Sequence, residues 1–451
     1  MPLINHCNGG SSFAAIIQVT HRDNAVCVCS KESKTFSDSS TSTVSVFKVN
    51  SKGTWAITCT YGNFTETSTV EITTDGQLAE VELMTFHTYG VSKDITASTS
   101  EWSRTDDAIG FDAVPSVVGA NKGASIEGYS SFDTCYPWSS IQRETLSSGD
   151  VMVKIPKFWY KRYREGNIEY IKIADKACSG FTLHPAFNHA NTEKDCIYVS
   201  AYEAYVASRS NYENNYASAS GKSPAQTTFI SKRTDVRQKG SGWEMMDLST
   251  VSALQMLILV EYADNNVQKV IGRGYWQTTS PPENTGGCDS VPGLTGIPSA
   301  SELSNSDAWS NSYGVIWRGI ENLWGNVGAK LDGVLCLGTT PYVCNNPSNY
   351  SSEVTSNYAA LSYAIPEATN TYITKVGLDP NYPWVMLPSE ASGGSSTTFM
   401  CNMLYNPNSS SVTELSYAGG IYGTKNPGLF GLHIDIGAGA DDGLRLIYIP
   451  Q

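Results

Sequence analysis

Basic side chains are in short supply in this sequence: Lys and Arg number 30 against 43 Asp and Glu, which leaves a formal net charge of −13. A chain that wraps nucleic acid needs a basic face to displace counterions from phosphates, so no nucleic-acid partner is expected. No apolar run reaches the roughly 20 residues of a membrane-spanning helix, so no membrane insertion is expected either. The opening residues, MPLINHCNGGSSF, lack the charged start and apolar stretch of a secretion signal, and synthesis in a cytoplasm without a signal peptide is the expectation. Metal-ligand spacing is missing as well. The cysteines fall at 7, 27, 29, 59, 135, 178, 196, 288, 336, 344 and 401, with no C-x-x-C pair and no histidine cluster beside them. An odd total of 11 cannot be paired completely within one chain. Reduced, mostly buried thiols and no metal or other cofactor are therefore expected.

What is present is a β vocabulary. Gly, Ser, Thr, Asn and Tyr are abundant, aromatics reach 11%, and charged residues stay at 16%, which suits many short strands and turns. Residues 1–86 carry alternating runs at 25–29, 43–47, 53–60, 67–73 and 79–83, at roughly ten-residue spacing with turn residues between. That pattern predicts an all-β sandwich with Trp55, Ile57, Cys59, Val70 and Ile72 facing inward. Residues 87–149 read as a linker and an irregular start to a second domain. Order resumes at 150–163 with a long alternating strand, and a turn at Glu165-Gly166-Asn167 returns the chain through 168–173 as a hairpin. Its basic residues, Lys154, Lys157, Lys161, Arg162 and Arg164, are expected on a solvated strand face rather than in a polyanion site. His184 precedes Pro185 and reads as structural, and Glu203 inside an apolar strand is expected to meet a cation in the core.

Helical periodicity is confined to 228–271. Asp247 and Ser249 offer caps, and Val251, Leu254, Leu257, Ile258 and Tyr262 follow at helical spacing, with Gln255 and Glu261 elsewhere on the helix. A shorter helix is expected near 229–238. Two helices among many strands predict an α+β class for the second domain, 150–451. Its last residues, about 417–451, end in the apolar run Leu444, Leu446, Ile447, Tyr448 and Ile449. Just before it, Leu432, Ile434 and Ile436 alternate with Gly431, His433 and Asp435, so the chain end is expected to be tied into the core by strands.

Two boxes carry a resemblance. The first is Trp317-Arg318-Gly319, Glu321-Asn322 and Trp324-Gly325-Asn326. The second is Gly419-Gly420, Gly428-Leu429-Phe430, and Gly443 with Arg445-Leu446. Together they make residues 100–451 resemble the formylglycine-generating-enzyme type of C-type lectin fold, and Glu321 is expected to pair with Arg318 or Arg445. The enzymatic branch of that family uses a copper-binding cysteine pair near the C-terminus. Here Cys401 is the last cysteine, beyond Cys336 and Cys344, so no catalysis is expected. The sugar-binding loops of calcium-dependent lectins, EPN or QPD with WND, do not occur.

Residues 1–86 resemble the small immunoglobulin-like modules of phage tail proteins. The whole is similar to retroelement-diversified variable proteins, many of them phage tail receptor-binding proteins. That resemblance implies a virion location at a tail fibre tip and a host bacterial surface receptor, protein or glycan. It also implies contact with other tail proteins through the N-terminal module, and a homotrimer. In such proteins adenine-directed mutagenesis leaves Asn, Tyr, Ser, Asp, His, Gly and Ile at varied positions. Ile421, Tyr422, Gly423, Asn426, Gly431, His433, Asp435 and Gly437 belong to that set and are the ligand-binding candidates, whereas Lys425 does not belong. The other reading is a structural baseplate or decoration protein with no diversified site.

Overall fold

The computed structural model describes residues 15–39, 41–62, 64–121, 124–210, 213–225, 232–277, 282–300, 310–311, 313–417, 428–435 and 442–451. Strands account for 44% and helices for 11%, so the fold is mostly β. The chain divides into two compact units, Met1–His87 and Thr88–Gln451.

The first unit holds seven strands: β1 (Ala15–Thr20), β2 (Val26–Lys31), β3 (Lys34–Asp38), β4 (Val44–Val49), β5 (Gly53–Tyr61), β6 (Phe64–Ile72) and β7 (Gln77–Glu82). They form a three-stranded sheet in the order β4-β1-β7 and a four-stranded sheet in the order β3-β2-β5-β6. Period-two alternation decides which face is buried: Ile17, Val19, Phe47 and Val49 on one sheet, and Cys27, Cys29, Trp55, Ile57 and Cys59 on the other. Ile72 is fully buried, while Val70 is half-buried.

The expectation of thiols reduced throughout is corrected here. Only two residues separate Tyr61 from Phe64, and in a hairpin that short the closing pair exchanges hydrogen bonds and the pattern alternates from it. Cys59 accordingly bonds towards Glu66 of β6, and it faces Cys27 of β2 in the non-hydrogen-bonded kind of pair, where side chains approach most closely. The two Cα atoms lie 4.1 Å apart and the sulfurs are joined. The sequence separation is 32. Replacing both cysteines by alanine should lower this unit's stability by about 3–4 kcal/mol on the loop-entropy estimate. The readout is the urea midpoint of the first unit's transition, and an unshifted midpoint would count against the estimate.

In the second unit, residues that read as linker in the sequence supply strands. Thr88–Asp94 and Ser103–Asp106 complete a five-stranded sheet with the hairpin Trp159–Glu165 and Ile168–Ala174 and the short strand Thr182–Leu183. Lys161 is exposed as expected, but Arg162 is a buried cross-link rather than part of a solvated face. The Arg162 side chain is wholly buried; its Nε donates to Glu169 Oε1 (2.7 Å), and its terminal nitrogens donate to the carbonyls of Gly377 and Val385 (2.7 and 2.6 Å). Arg164 holds the other Glu169 oxygen and the Val376 carbonyl. Lys157, nearer the surface, pairs with Glu193 and Asp195.

Three helices are found among the described residues: α1 (Lys232–Arg237), α2 (Leu248–Tyr262) and α3 (Val267–Val270). Helix α2 begins where Asp247 Oδ1 accepts the Thr250 N–H (2.7 Å), and it ends at Ala263 in the left-handed conformation (φ 52°). All its residues are buried, so it has no solvated face, and its two long polar side chains are spent inside. Gln255 donates to the Leu429 carbonyl (2.8 Å), and Glu261 accepts from Trp317 and Arg318. His184 caps a 3-10 turn through the Ala186 N–H and reaches Ser252 on α2. Full burial pushes its imidazole down to about 3, so it stays neutral.

Two further sheets carry the C-terminus. The strand Leu446–Tyr448 lies between Cys196–Ser200 and Trp243–Met245, with Val151–Pro156 and Gln142–Thr145 beyond the first of these. The chain end is thus inside a sheet, with Leu446 and Ile447 fully buried. The largest sheet has eight strands. Its path runs Ala359–Ala360, Thr340–Val343, Gly328–Leu337, Val412–Tyr417, Leu432–Asp435, Met403–Asn406 and Ala368–Tyr372, and Asp442–Gly443 pairs parallel to the start of Gly328–Leu337.

Candidate functional site

The strand Leu432–Asp435 sits inside the eight-stranded sheet, antiparallel to Val412–Tyr417 and parallel to Met403–Asn406. Register then decides which side chains share a face. Leu432 and Ile434 lie beside Leu404, Leu415 and Tyr417, all buried, on the core face. His433 lies beside Tyr405 and Ser416 on the other face. The His433 and Tyr405 rings stack with centroids 4.5 Å apart and planes 15° from parallel, both half-buried. Tyr405 is not among the residues that the sequence singles out. The signal available is the alternation in Met403–Asn406, where Leu404 and Asn406 are buried and Met403 and Tyr405 are not.

Of the candidates from the sequence, His433 is the one whose ring reaches this outer face. Gly431 differs from expectation: it is buried, in the turn before the strand, with its N–H donating to the Gly428 carbonyl (2.9 Å). It precedes the paired residues, so the strand's alternation does not reach it. Asp435 is paired with Glu414 across the sheet by its backbone. Ile421, Tyr422, Gly423, Asn426 and Gly437 lie outside the described residues, as does Lys425.

The fixed boxes hold the rims of this surface. Gly428 has no room for a Cβ, which would run into the amides of Asn402 and Gln268. Asn402 Oδ1 takes the Phe430 N–H (3.0 Å), and the Leu429 carbonyl takes both the Tyr417 hydroxyl (2.7 Å) and the Gln255 amide. At the other end Arg445, fully buried, donates to the carbonyls of Ser200 (2.7 Å), Glu321 (2.7 Å) and Asn322 (3.1 Å). Its guanidinium therefore ties the last strand to the first box.

That first box is all scaffold. Ile316–Trp317 and Ile320–Glu321 form a hairpin across Arg318 and Gly319, both with positive φ (44° and 87°), the geometry of a tight two-residue turn. The expected partnership of Glu321 with an arginine side chain is corrected. Its carboxylate accepts the backbone N–H groups of Gly286 (2.7 Å) and Cys288 (2.8 Å), while Arg318 clasps Glu261 through two nitrogens (2.6 and 3.0 Å) and reaches Asp133 (2.9 Å). Trp324 donates to the Gly272 carbonyl.

Glu203 meets the expected core cation in Arg445, although the two form no direct ion pair. Its carboxylate is held by the Val327 N–H (2.9 Å) and the Asn326 amide, and Arg445 acts on it as the nearby positive charge. Burial raises this carboxyl to about 8, against the opposing pull of Arg445 and the two hydrogen bonds. Glu203, Arg445 and Tyr417 line one small cavity.

Among the described residues no group of three His, Cys, Asp or Glu side chains is arranged to hold a metal ion, and no helix is long and apolar enough to cross a membrane. No protein-family model matches the chain, and no curated protein matches it.

Proposed function

We propose that the second unit is a C-type-lectin-like ligand-display domain, and that the chain is a phage tail-tip adhesin binding a receptor on the host cell surface. The first unit, with its two β-sheets, is read as the immunoglobulin-like attachment module that meets other tail proteins. Assembly as a homotrimer is part of the same reading.

One observation carries it. Both intervals that hold most of the candidates, 418–427 and 436–441, begin and end on described structure: the buried Tyr417 and Gly428 bound the first, and the paired strands Leu432–Asp435 and Asp442–Gly443 bound the second. The apolar side chains that flank these intervals, Leu429, Phe430, Leu432, Ile434 and Leu444, are all buried, so the flanking residues anchor the core. The aromatic pair Tyr405 and His433 supplies a platform of the kind that anchors ligand contacts.

The structural baseplate reading makes a different statement about sequence. Under the adhesin reading, a near-copy of the 3′ coding sequence lies beside a reverse transcriptase gene. Sister phages then differ at 421–423, 426, 433, 435 and 437 while keeping Gly428, Leu429, Phe430 and Arg445. An unvarying C-terminus without such a copy would favour the baseplate role.

A further inference from the structure

Strand β6 is the longest edge strand of the first unit. Natural edges are blunted by shortness, lysine, proline or a bulge, because an unpaired row of N–H and C=O groups invites another strand. The other three edges of the first unit are shorter: β3 has five residues and carries Lys34, β4 has six with Lys48, and β7 has six with Glu80 and Glu82, whereas the charges of β6 are Glu66 and Glu71. Strand β6 runs nine residues, Phe-Thr-Glu-Thr-Ser-Thr-Val-Glu-Ile, with no lysine or proline, and its register with β5 is unbroken from Phe64 to Ile72. Among the described residues its outer edge pairs with no strand.

The hairpin geometry says which groups are unspent. With Tyr61 and Phe64 as the hydrogen-bonded closing pair, Phe64, Glu66, Ser68, Val70 and Ile72 bond inward to β5. Thr65, Thr67 and Thr69 then turn their backbone N–H and C=O groups outward, as Glu71 does its N–H, while the Glu71 carbonyl takes the Gln77 amide (3.0 Å); the same four residues are solvent-exposed. We infer that β6 is an assembly edge that pairs antiparallel with β6 of a second copy of this chain, about a two-fold axis at Ser68.

Self-complementarity chooses that occupant. About this axis Thr67 faces the partner's Thr69, Thr65 faces the partner's Glu71, and Glu66 faces the partner's Val70, so no carboxylate opposes a carboxylate despite the acidic chain. All four outward residues fall in hydrogen-bonded pairs, giving about six new backbone bonds beside the two Glu71 carbonyls that Gln77 already holds, and an isologous contact of this kind closes on itself without growing into a fibre. The contact goes beyond the adhesin reading, since it lies in the first unit and is independent of any receptor.

Sedimentation velocity on the full chain tests it. The wild type should show twice the mass of a variant carrying Thr67→Lys and Thr69→Lys, whatever assembly other surfaces make. Both lysines would stand on the solvent face, so circular dichroism and the unfolding midpoint should not move. Thr35→Lys on β3, the opposite edge, should leave the doubled mass intact. The single change Thr67→Pro, which deletes one outward N–H, should weaken the association without the added charge. Equal masses for the wild type and the double-lysine variant would overturn the pairing, and so would a loss of mass in Thr35→Lys as large as in the double-lysine variant.

Discussion

Replacing Arg445 by methionine should destabilise the second unit by about 3–5 kcal/mol, the cost of removing one partner from a buried charged network. Methionine approximates the length and apolar stem of arginine, so little of that loss would come from a cavity. What disappears is the set of donors to the carbonyls of Ser200, Glu321 and Asn322, which are left in the core without a partner from this side chain. Glu203 also loses its nearest positive charge, and its carboxyl should move above its present value of about 8. Arg445→Lys should recover part of the stability, because an ammonium keeps the charge but cannot span three carbonyls with a planar fork. Chemical denaturation followed through the second unit's transition gives the number. A loss below about 1 kcal/mol for the methionine variant, well short of the cost expected of a broken buried network, would mean that the network is not holding the C-terminal strand.

Glu203 should make the same unit more stable in mild acid than in mild base. Its carboxyl rises on folding from an ordinary 4.5 to about 8, chiefly through burial. The folded chain therefore keeps a proton that the unfolded chain gives up above about pH 5, and each pH step between those values favours unfolding. Stability from this group is full below about pH 4.5, declines as pH climbs from about 5 to 8, and is level beyond. The whole decline is at most about 5 kcal/mol, since each pH unit between the unfolded and folded values costs about 1.36 kcal/mol. Glu244, raised to about 7 by burial against the pull of Arg237, slopes the same way. His184, neutral in the fold but charged in the unfolded chain below about pH 6.5, acts in the opposite sense across the acid half of that window. Asp289 and Asp379, both lowered, do so only below 3.8, while Glu321 and Asp332, raised by burial, slope with Glu203. Glu203→Gln keeps an acceptor for the Val327 N–H and removes the titration. Its unfolding midpoint should fall less than the wild type's between about pH 6.5 and 8, where His184 no longer opposes the slope, and a slope there equal to the wild type's would reject the assignment.

Periodicity makes some of this fold legible and leaves the rest hidden for definite reasons. Alternation around Trp55 and Ile57, the caps of α2 and the apolar run at Leu446 and Ile447 are local signals, and each appears as an element. Partners distant in sequence leave no such trace. Nothing near Cys27 announces Cys59, and nothing near Arg162 announces the carbonyls of Gly377 and Val385. For Glu321 charge suggests an opposite charge, whereas two backbone N–H groups satisfy it. Residues 88–94 resemble linker because Thr, Gly, Ser, Lys and Asp together give no clear strand signal; their neighbour Ile168–Ala174 supplies the pairing. At the site, alternation places His433 correctly opposite Leu432 and Ile434, but it cannot reveal Tyr405, which arrives through a parallel pairing with a separate strand.

The most direct measurement is binding of the purified chain to host cells, compared with a variant carrying Tyr422→Ala, His433→Ala and Asp435→Ala. Removing contacts at a ligand surface typically costs about tenfold or more in affinity, and the unfolding midpoint measured beside it separates that loss from the cost of removing the half-buried His433 ring from its stack on Tyr405. The account predicts that binding falls at least about tenfold. Unchanged binding by a variant that is as stable as the wild type would contradict it.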